Sequence, residues 1–192
     1  MNFLIKIFLP DTNPYNISML LDDLNTNIVD KDFTKIHLML NDPNFEFDIC
    51  DFTYLNCDNT VTMINHNLDQ LDWDIVLPIF RNCIATTNGF DSHIKDIYLE
   101  NFPNLDGCLW LDSNCKDINM FPIIGRKYYE KFNYIYNPIY TKRNFEKEFS
   151  EVLKLTNQYF FVEEKYFREI KIELDDDNIY QLRKKVNFEL WK

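Results

Sequence analysis

The sequence predicts an α/β domain built on a mixed, mainly parallel sheet with helices on both faces. Three observations point there. Apolar runs of strand length recur at residues 3–9, 35–40, 73–80 and 108–112; segments with helical spacing of apolar residues lie between them; and polar loops open at the C-terminal ends of the runs. Strands that alternate with helices are covered on both sides in a parallel sheet, so they read as continuous apolar stretches.

Taken in order, residues 3–9 are apolar up to Pro10, after which Asp11, Thr12, Asn13 and Pro14 make a polar loop. The opening has neither a basic start nor a small-residue cleavage site, so it reads as a first strand and not as a signal peptide. Asn16 or Ser18 caps a helix that carries Ile17, Leu20, Leu21 and Leu24 on one face and ends at Asn25-Thr26-Asn27. The run 35–40 is a second strand, stopped by Asn41-Asp42-Pro43-Asn44. Residues 45–52 alternate apolar and acidic, Thr53-Tyr54-Leu55 is a short strand, and Val61, Ile64 and Leu68 mark a helix over 61–68. The run from Trp73 to Phe80 is the most strand-like in the chain. After a loop through Gly89, a helix over 91–101 presents Ile94, Ile97 and Tyr98 and breaks at Phe102-Pro103; Asp106-Gly107 then turns into the strand 108–112. Further helices are expected at 121–132, 145–156 and, after Asp175-Asp176-Asp177, at 178–190. No repeat or low-complexity linker divides the chain, so 1–192 reads as a single domain.

Composition narrows the function. Hydrophobic residues make up 46% of the 192, enough for a core of useful size. The formal net charge of −11 repels a phosphate backbone, which excludes nucleic acid and anionic membrane as partners. The local basic clusters Lys142-Arg143 and Arg183-Lys184-Lys185 read as solvated faces. No apolar run approaches the roughly 20 residues needed to span a bilayer. Five cysteines, an odd number without close pairs, point to a reducing, intracellular setting. The Cys50/Cys57 and Cys108/Cys115 spacings do not match zinc knuckles. The three glycines lie far apart, which rules out glycine-rich phosphate cradles.

In such sheets ligands bind at the carboxyl ends of the strands, so the loops of interest are 10–16, 41–44, 56–60, 81–89 and 112–117. Here particular strings become informative. Asn59-Thr60-Val61-Thr62-Met63-Ile64-Asn65 and Asp72-Trp73-Asp74-Ile75-Val76-Leu77 resemble the donor-binding half of the GT-A nucleotide-sugar glycosyltransferases, especially the small bacterial and phage versions. The strings 102–111, 122–138 and 148–152 resemble that family's second half. The resemblance covers roughly 1–155, leaving 156–192 as a partly helical C-terminal extension, and it implies a GT-A-like, Rossmann-like fold with a nucleotide sugar as ligand.

The departures fall where that family holds its metal. After the strand at 73–79 the family carries a small residue and acidic groups that bind a divalent cation; this chain has Phe80-Arg81-Asn82-Cys83, and neither Arg nor Asn supplies a carboxylate. The family's acidic base near the acceptor is displaced, the segment reading Arg143-Asn144-Phe145-Glu146-Lys147. A late histidine segment is absent, since His37, His66 and His93 all lie earlier. No metal or other cofactor is therefore expected, and no catalytic residue is assigned.

The donor-binding candidates are Asn41, Asp42, Asn65, Arg81 and Asp112. Each has a plainer role beside the functional one. Asn41-Asp42 contacts the nucleotide or forms a turn before Pro43. Asn65 lines the donor pocket or decorates a helix. Arg81 grips phosphate in place of a cation or pairs with a carboxylate such as Asp112 or Glu148, and Asp112 faces the acceptor or caps the next segment. The functional expectation is a GT-A-like module that has lost catalysis and serves as a binding or structural component, with a nucleotide sugar or an assembly protein as partner. The alternative is an active, metal-independent transferase. The expected location is the cytoplasm of a cell or infected host, or a virion.

Overall fold

The computed structural model describes residues 1–9, 14–44, 47–48, 50–141 and 144–170. In chain order the elements are β1 (Phe3–Ile7), α1 (Pro14–Asn27), β2 (Thr34–Leu40), β3 (Asp51–Tyr54), α2 (Thr60–Asn65), β4 (Ile75–Ile79) and β5 (Cys83–Ala85). There follow α3 (Phe90–Asn101), β6 (Cys108–Leu111), β7 (Pro122–Gly125), α4 (Arg126–Glu130), α5 (Phe145–Thr156), β8 (Tyr159–Val162) and β9 (Phe167–Glu169). Seven strands form one sheet in the order β3-β2-β1-β4-β7-β6-β8, in which β7 alone runs against the others. Strands β5 and β9 form a separate antiparallel pair.

The mainly parallel sheet matches the expectation from sequence, and its cause is visible along β1. Phe3, Ile5 and Ile7 face one core with Ile17, Leu20, Leu21 and Leu24 of α1 and Phe90, Ile94 and Tyr98 of α3. Leu4 and Phe8 face a second core with Val61 and Ile64 of α2, Tyr128 and Tyr129 of α4, and Phe145, Phe149 and Leu153 of α5. A strand covered on both faces is apolar almost throughout, and in β1 Lys6 alone breaks the run read from the sequence.

Pro78 lies within β4, where a missing N–H would ordinarily break a ladder. The carbonyl of Ile79 accepts from the Phe8 N–H on the β1 side at 2.8 Å, so Pro78 faces the β7 side. There the pairing covers only Ile75 and Val76, and the proline sits beyond it.

The helix expected over 121–132 is corrected. Pro122–Gly125 is a fully buried strand, and helix begins only at Arg126. Four residues pinned between β4 and β6 are held by their ladders, which override helical spacing. Gly125 is required there, because a Cβ would overlap the Tyr98 hydroxyl and the Leu105 carbonyl. The helix expected over 61–68 is shorter, ending at Asn65, and the loop 81–89 contains β5. Part of the C-terminal extension is built into the strands: β8 joins the main sheet in parallel with β6, and β9 completes the separate antiparallel pair with β5. The loop 10–13, the cluster Lys142-Arg143 and the helix expected at 178–190 lie outside the described residues.

A second feature hidden from the sequence is Lys6, fully buried in the middle of β1. Its Nζ donates to the His66 carbonyl at the C-terminal end of α2, satisfying an orphan helix acceptor from inside the protein. Burial pushes the Lys6 ammonium down to about 7, with Asp69 pulling the other way. On the neighbouring strand His37, whose Nε2 lies 3.0 Å from the Thr53 hydroxyl, is lowered to about 4 by burial and then by Lys6.

The pH consequence follows from the direction of the Lys6 shift. Between about 7 and its ordinary value of 10.5, the unfolded chain keeps a proton that the folded chain has released, so stability rises with pH across that window. Below 7 the cost of the buried cation is present in full. Replacing Lys6 by Met should remove this rise. Denaturant unfolding of both proteins at pH 6 and pH 10 is expected to show a wild-type gain that exceeds the variant's by on the order of a few kcal/mol. Parallel profiles would show that Lys6 stays charged in the fold.

Candidate functional site

The C-terminal ends of β2, β4 and β6 and the last residue of α2 carry the candidates. Each is engaged locally. Asn41 donates from Nδ2 to Asp58 at 2.8 Å, and its Oδ1 is buried without a partner. Asp42 accepts from the Asn44 backbone N–H at 2.9 Å and its amide at 2.7 Å, the geometry of an Asx turn. Asn65 pins the chain at 135–136 from both sides, donating to the Tyr136 carbonyl at 2.6 Å and accepting from the Ile135 N–H at 2.9 Å. Asp112 accepts from the Asn114 N–H at 3.0 Å and lies 3.7 Å from the Lys165 ammonium. No hydrogen bond or ion pair among the described residues joins any two of the five candidates.

Arg81 is the centre of the arrangement, and its partners correct the expectation. It pairs with Glu146 in the first turn of α5 and lies 3.8 Å from Glu169 on β9, in place of Asp112 or Glu148. Its guanidinium carbon stands 4.6 Å over the Phe80 ring, a cation–π contact. Both members of the main pair are largely buried, with side-chain exposures of 13% for Arg81 and 23% for Glu146. Burial holds the Glu146 carboxyl above its ordinary value, while Arg81 pulls it down.

Around this pair the end of β4 is filled with rings. Phe80 packs edge-on against Phe145 with centroids 5.1 Å apart and against Tyr136 at 5.7 Å; Tyr136 contacts Phe145 at 4.8 Å and Phe149 at 5.6 Å. Tyr136 is fully buried, its hydroxyl has no partner, and burial raises its ionisation well above the usual value. Arg81 Nε and Asn82 Oδ1 are also buried and unpartnered. On the other side of β4, Ile170 donates to the Asn82 carbonyl at 3.0 Å and so holds β9 over the same strand end.

A divalent cation does not fit this site. Where the resemblance would put one stands a guanidinium, the two carboxylates nearby are turned onto that guanidinium, and among the described residues no group of three or more His, Cys, Asp or Glu side chains is disposed to hold a metal. Glu146, Glu169 and Tyr136 were not among the candidates from sequence. Glu146 carried one available signal, an acid in the first turn of a helix next to the displaced base, but its pairing across 65 residues has no local signature.

No protein-family model matches the chain, and no curated protein sequence matches it. Solved structures do. S. aureus TarS 1-349 in complex with UDP-GlcNAc superposes with a TM-score of 0.66 at 12% identity, covering 91% of this chain and 60% of that one. S. aureus TarS gives 0.68 at 10% identity, covering 98% and 39%. The mannosyltransferase PcManGT from Pyrobaculum calidifontis, in complex with GDP-Man and Mn²⁺, gives 0.61 at 9% identity, covering 95% and 60%. This chain therefore spans about 60% of the length of the TarS 1-349 chain that it matches. At these identities the likeness defines the fold: the protein has a GT-A-like, Rossmann-like sheet.

The energetics of the ion pair can be checked by mutation. Glu146→Ala leaves a buried guanidinium with only the more distant Glu169 and should cost about 2–4 kcal/mol of stability, since stranding one member of a buried pair is expensive. Replacing both partners together, Arg81→Met with Glu146→Leu, should recover most of that loss. Chemical denaturation of the three proteins is the measurement, and a double variant as unstable as Glu146→Ala would contradict the assignment.

Proposed function

We propose that this chain is a GT-A-like binding or structural module that has lost sugar transfer. The observation that carries the reading is the Arg81–Glu146 ion pair at the end of β4, where the family resemblance places a metal-binding acidic motif. Sugar transfer from a nucleoside diphosphate needs positive charge on the leaving diphosphate and a base at the acceptor hydroxyl. Here the cation is spent on a carboxylate, and that carboxylate is the nearest acid in the segment where the base is expected. A diphosphate entering this space meets Glu146 and Glu169 as well as Arg81, and Phe80, Phe145 and Tyr136 occupy the volume behind them. What the fold retains is a rigid frame, consistent with service in a larger assembly such as a virus particle.

A second reading has its own support. Asn41 Oδ1, Arg81 Nε, Asn82 Oδ1 and the Tyr136 hydroxyl are buried polar atoms without partners, a set that a ligand could satisfy. On this reading the site takes a nucleotide sugar of the kind present in the TarS and PcManGT complexes, without a metal.

Turnover separates the two. Release of UDP from UDP-GlcNAc and of GDP from GDP-Man, each with and without Mn²⁺, should stay at the no-protein background. Release that is abolished by Asp42→Asn or Asp112→Asn would establish the second reading and overturn the first.

A further inference from the structure

Among the described residues the sheet ends at β8, and this edge differs from the opposite one. Cys108 donates to the Gln158 carbonyl and Asp112 to the Val162 carbonyl, both at 3.0 Å, so the even-numbered residues of β8 bond to β6. By the alternation of a strand, Tyr159 and Phe161 turn their N–H and C=O groups outward. Large apolar side chains flank those groups on both faces of the sheet. Phe160, paired with Leu109, is 43% exposed on the α1/α3 side; Phe161, paired with Trp110, is 39% exposed on the other.

Edge strands of natural proteins are usually guarded by a charge, a proline or a bulge. Tyr159–Val162 has none of these, and its register with β6 is continuous. The far edge is guarded. Strand β3 contains Asp51 and lies between Asp48 and Asp58, so joining two copies there would gather carboxylates in a chain already at −11.

We propose that β8 is a self-pairing edge, through which two copies of this chain join antiparallel about a two-fold axis at Phe160, extending one sheet across both. The partner is a second copy because the edge is complementary to itself. With Phe160 opposite Phe160 of the other copy, Tyr159 falls opposite Phe161, and the two outward backbone rungs of each copy meet those of the other. Aromatic side chains then face aromatic side chains on both faces. Next to the aromatic rungs Gln158 lies opposite Val162, so the paired strands bring no like charges together. This inference is independent of whether the site transfers sugar.

The register makes the test specific. Phe160 on the axis forms a non-hydrogen-bonded pair with Cα atoms about 4.5 Å apart, within disulfide reach. Sedimentation velocity of the full chain from about 1 to 100 µM should show a monomer–dimer equilibrium. Phe160→Glu, which places two carboxylates together on the axis, should abolish the dimer while leaving the thermal melt of the monomer in place. Under mild oxidation Phe160→Cys should form a covalent dimer well above the level seen in wild type and in Ile139→Cys, an exposed control far from β8. A chain that stays monomeric throughout, because residues 171–192 or another protein takes the edge, overturns the proposal. So does a dimer indifferent to Phe160→Glu whose Phe160→Cys form crosslinks no better than the control.

Discussion

A guanidinium placed at the end of a buried strand has to be neutralised, and the way Arg81 meets that demand organises one whole side of the molecule. Glu146 answers it from the first turn of α5 and Glu169 from β9, so the helix and the C-terminal strand pair are both drawn to the tip of β4. Phe80 beneath the guanidinium fixes its plane, and Phe145, Tyr136 and Phe149 complete the wall. A metal-holding site keeps its carboxylates free of internal cations so that they can bind an external one. Here the carboxylates meet an internal cation, and that pairing ties together groups distant in sequence, Phe80–Asn82, Tyr136, Phe145–Glu146 and Glu169–Ile170.

The frame behind the site is conservative where the site is not. Lys6 holds the end of α2 from within the sheet, and Asn65 on α2 holds the backbone at 135–136, which sets Tyr136 against Phe80. On the other face Asp91 of α3 is fully buried and accepts from the Val29 N–H at 3.1 Å, the Asp30 N–H at 2.9 Å and the Thr34 hydroxyl at 3.1 Å, while Lys95 bonds Asp30 and Thr34 at 2.8 Å. Each buried charge is matched by hydrogen bonds to a connection between elements, which is how such groups are tolerated in an interior. These networks stabilise the path of the chain around a GT-A-like sheet.

The strands β1, β2, β4 and β6 were legible because burial on both faces leaves a mostly apolar run, broken in β1 by Lys6 and in β2 by Lys35 and His37. Helix α5 was legible because Phe145, Phe149 and Leu153 repeat with the helical period. Strand β7 was not, since Pro122-Ile123-Ile124-Gly125 is too short to show a period and is defined only by the strands on either side. The strands β5 and β9 define each other across more than eighty residues, and neither has a pattern of its own. At the site, the absence of carboxylates from Phe80-Arg81-Asn82-Cys83 could be read directly. The partner of Arg81 could not, because Glu146, Glu148 and Asp112 are equivalent acids in a sequence and only the turn of α5 selects among them.

On the proposed reading the end of β4 is closed by its own residues and holds neither a metal nor a metal-bound nucleotide sugar. Thermal unfolding in the presence of UDP-GlcNAc or GDP-Man, with and without Mn²⁺, tests it most directly, because a ligand that binds only the folded state at a hundredfold excess over Kd must add about 2.7 kcal/mol to its stability. The account predicts the same midpoint under all of these conditions. A rise in midpoint that needs both the nucleotide sugar and Mn²⁺, and that disappears in Arg81→Met, would contradict it.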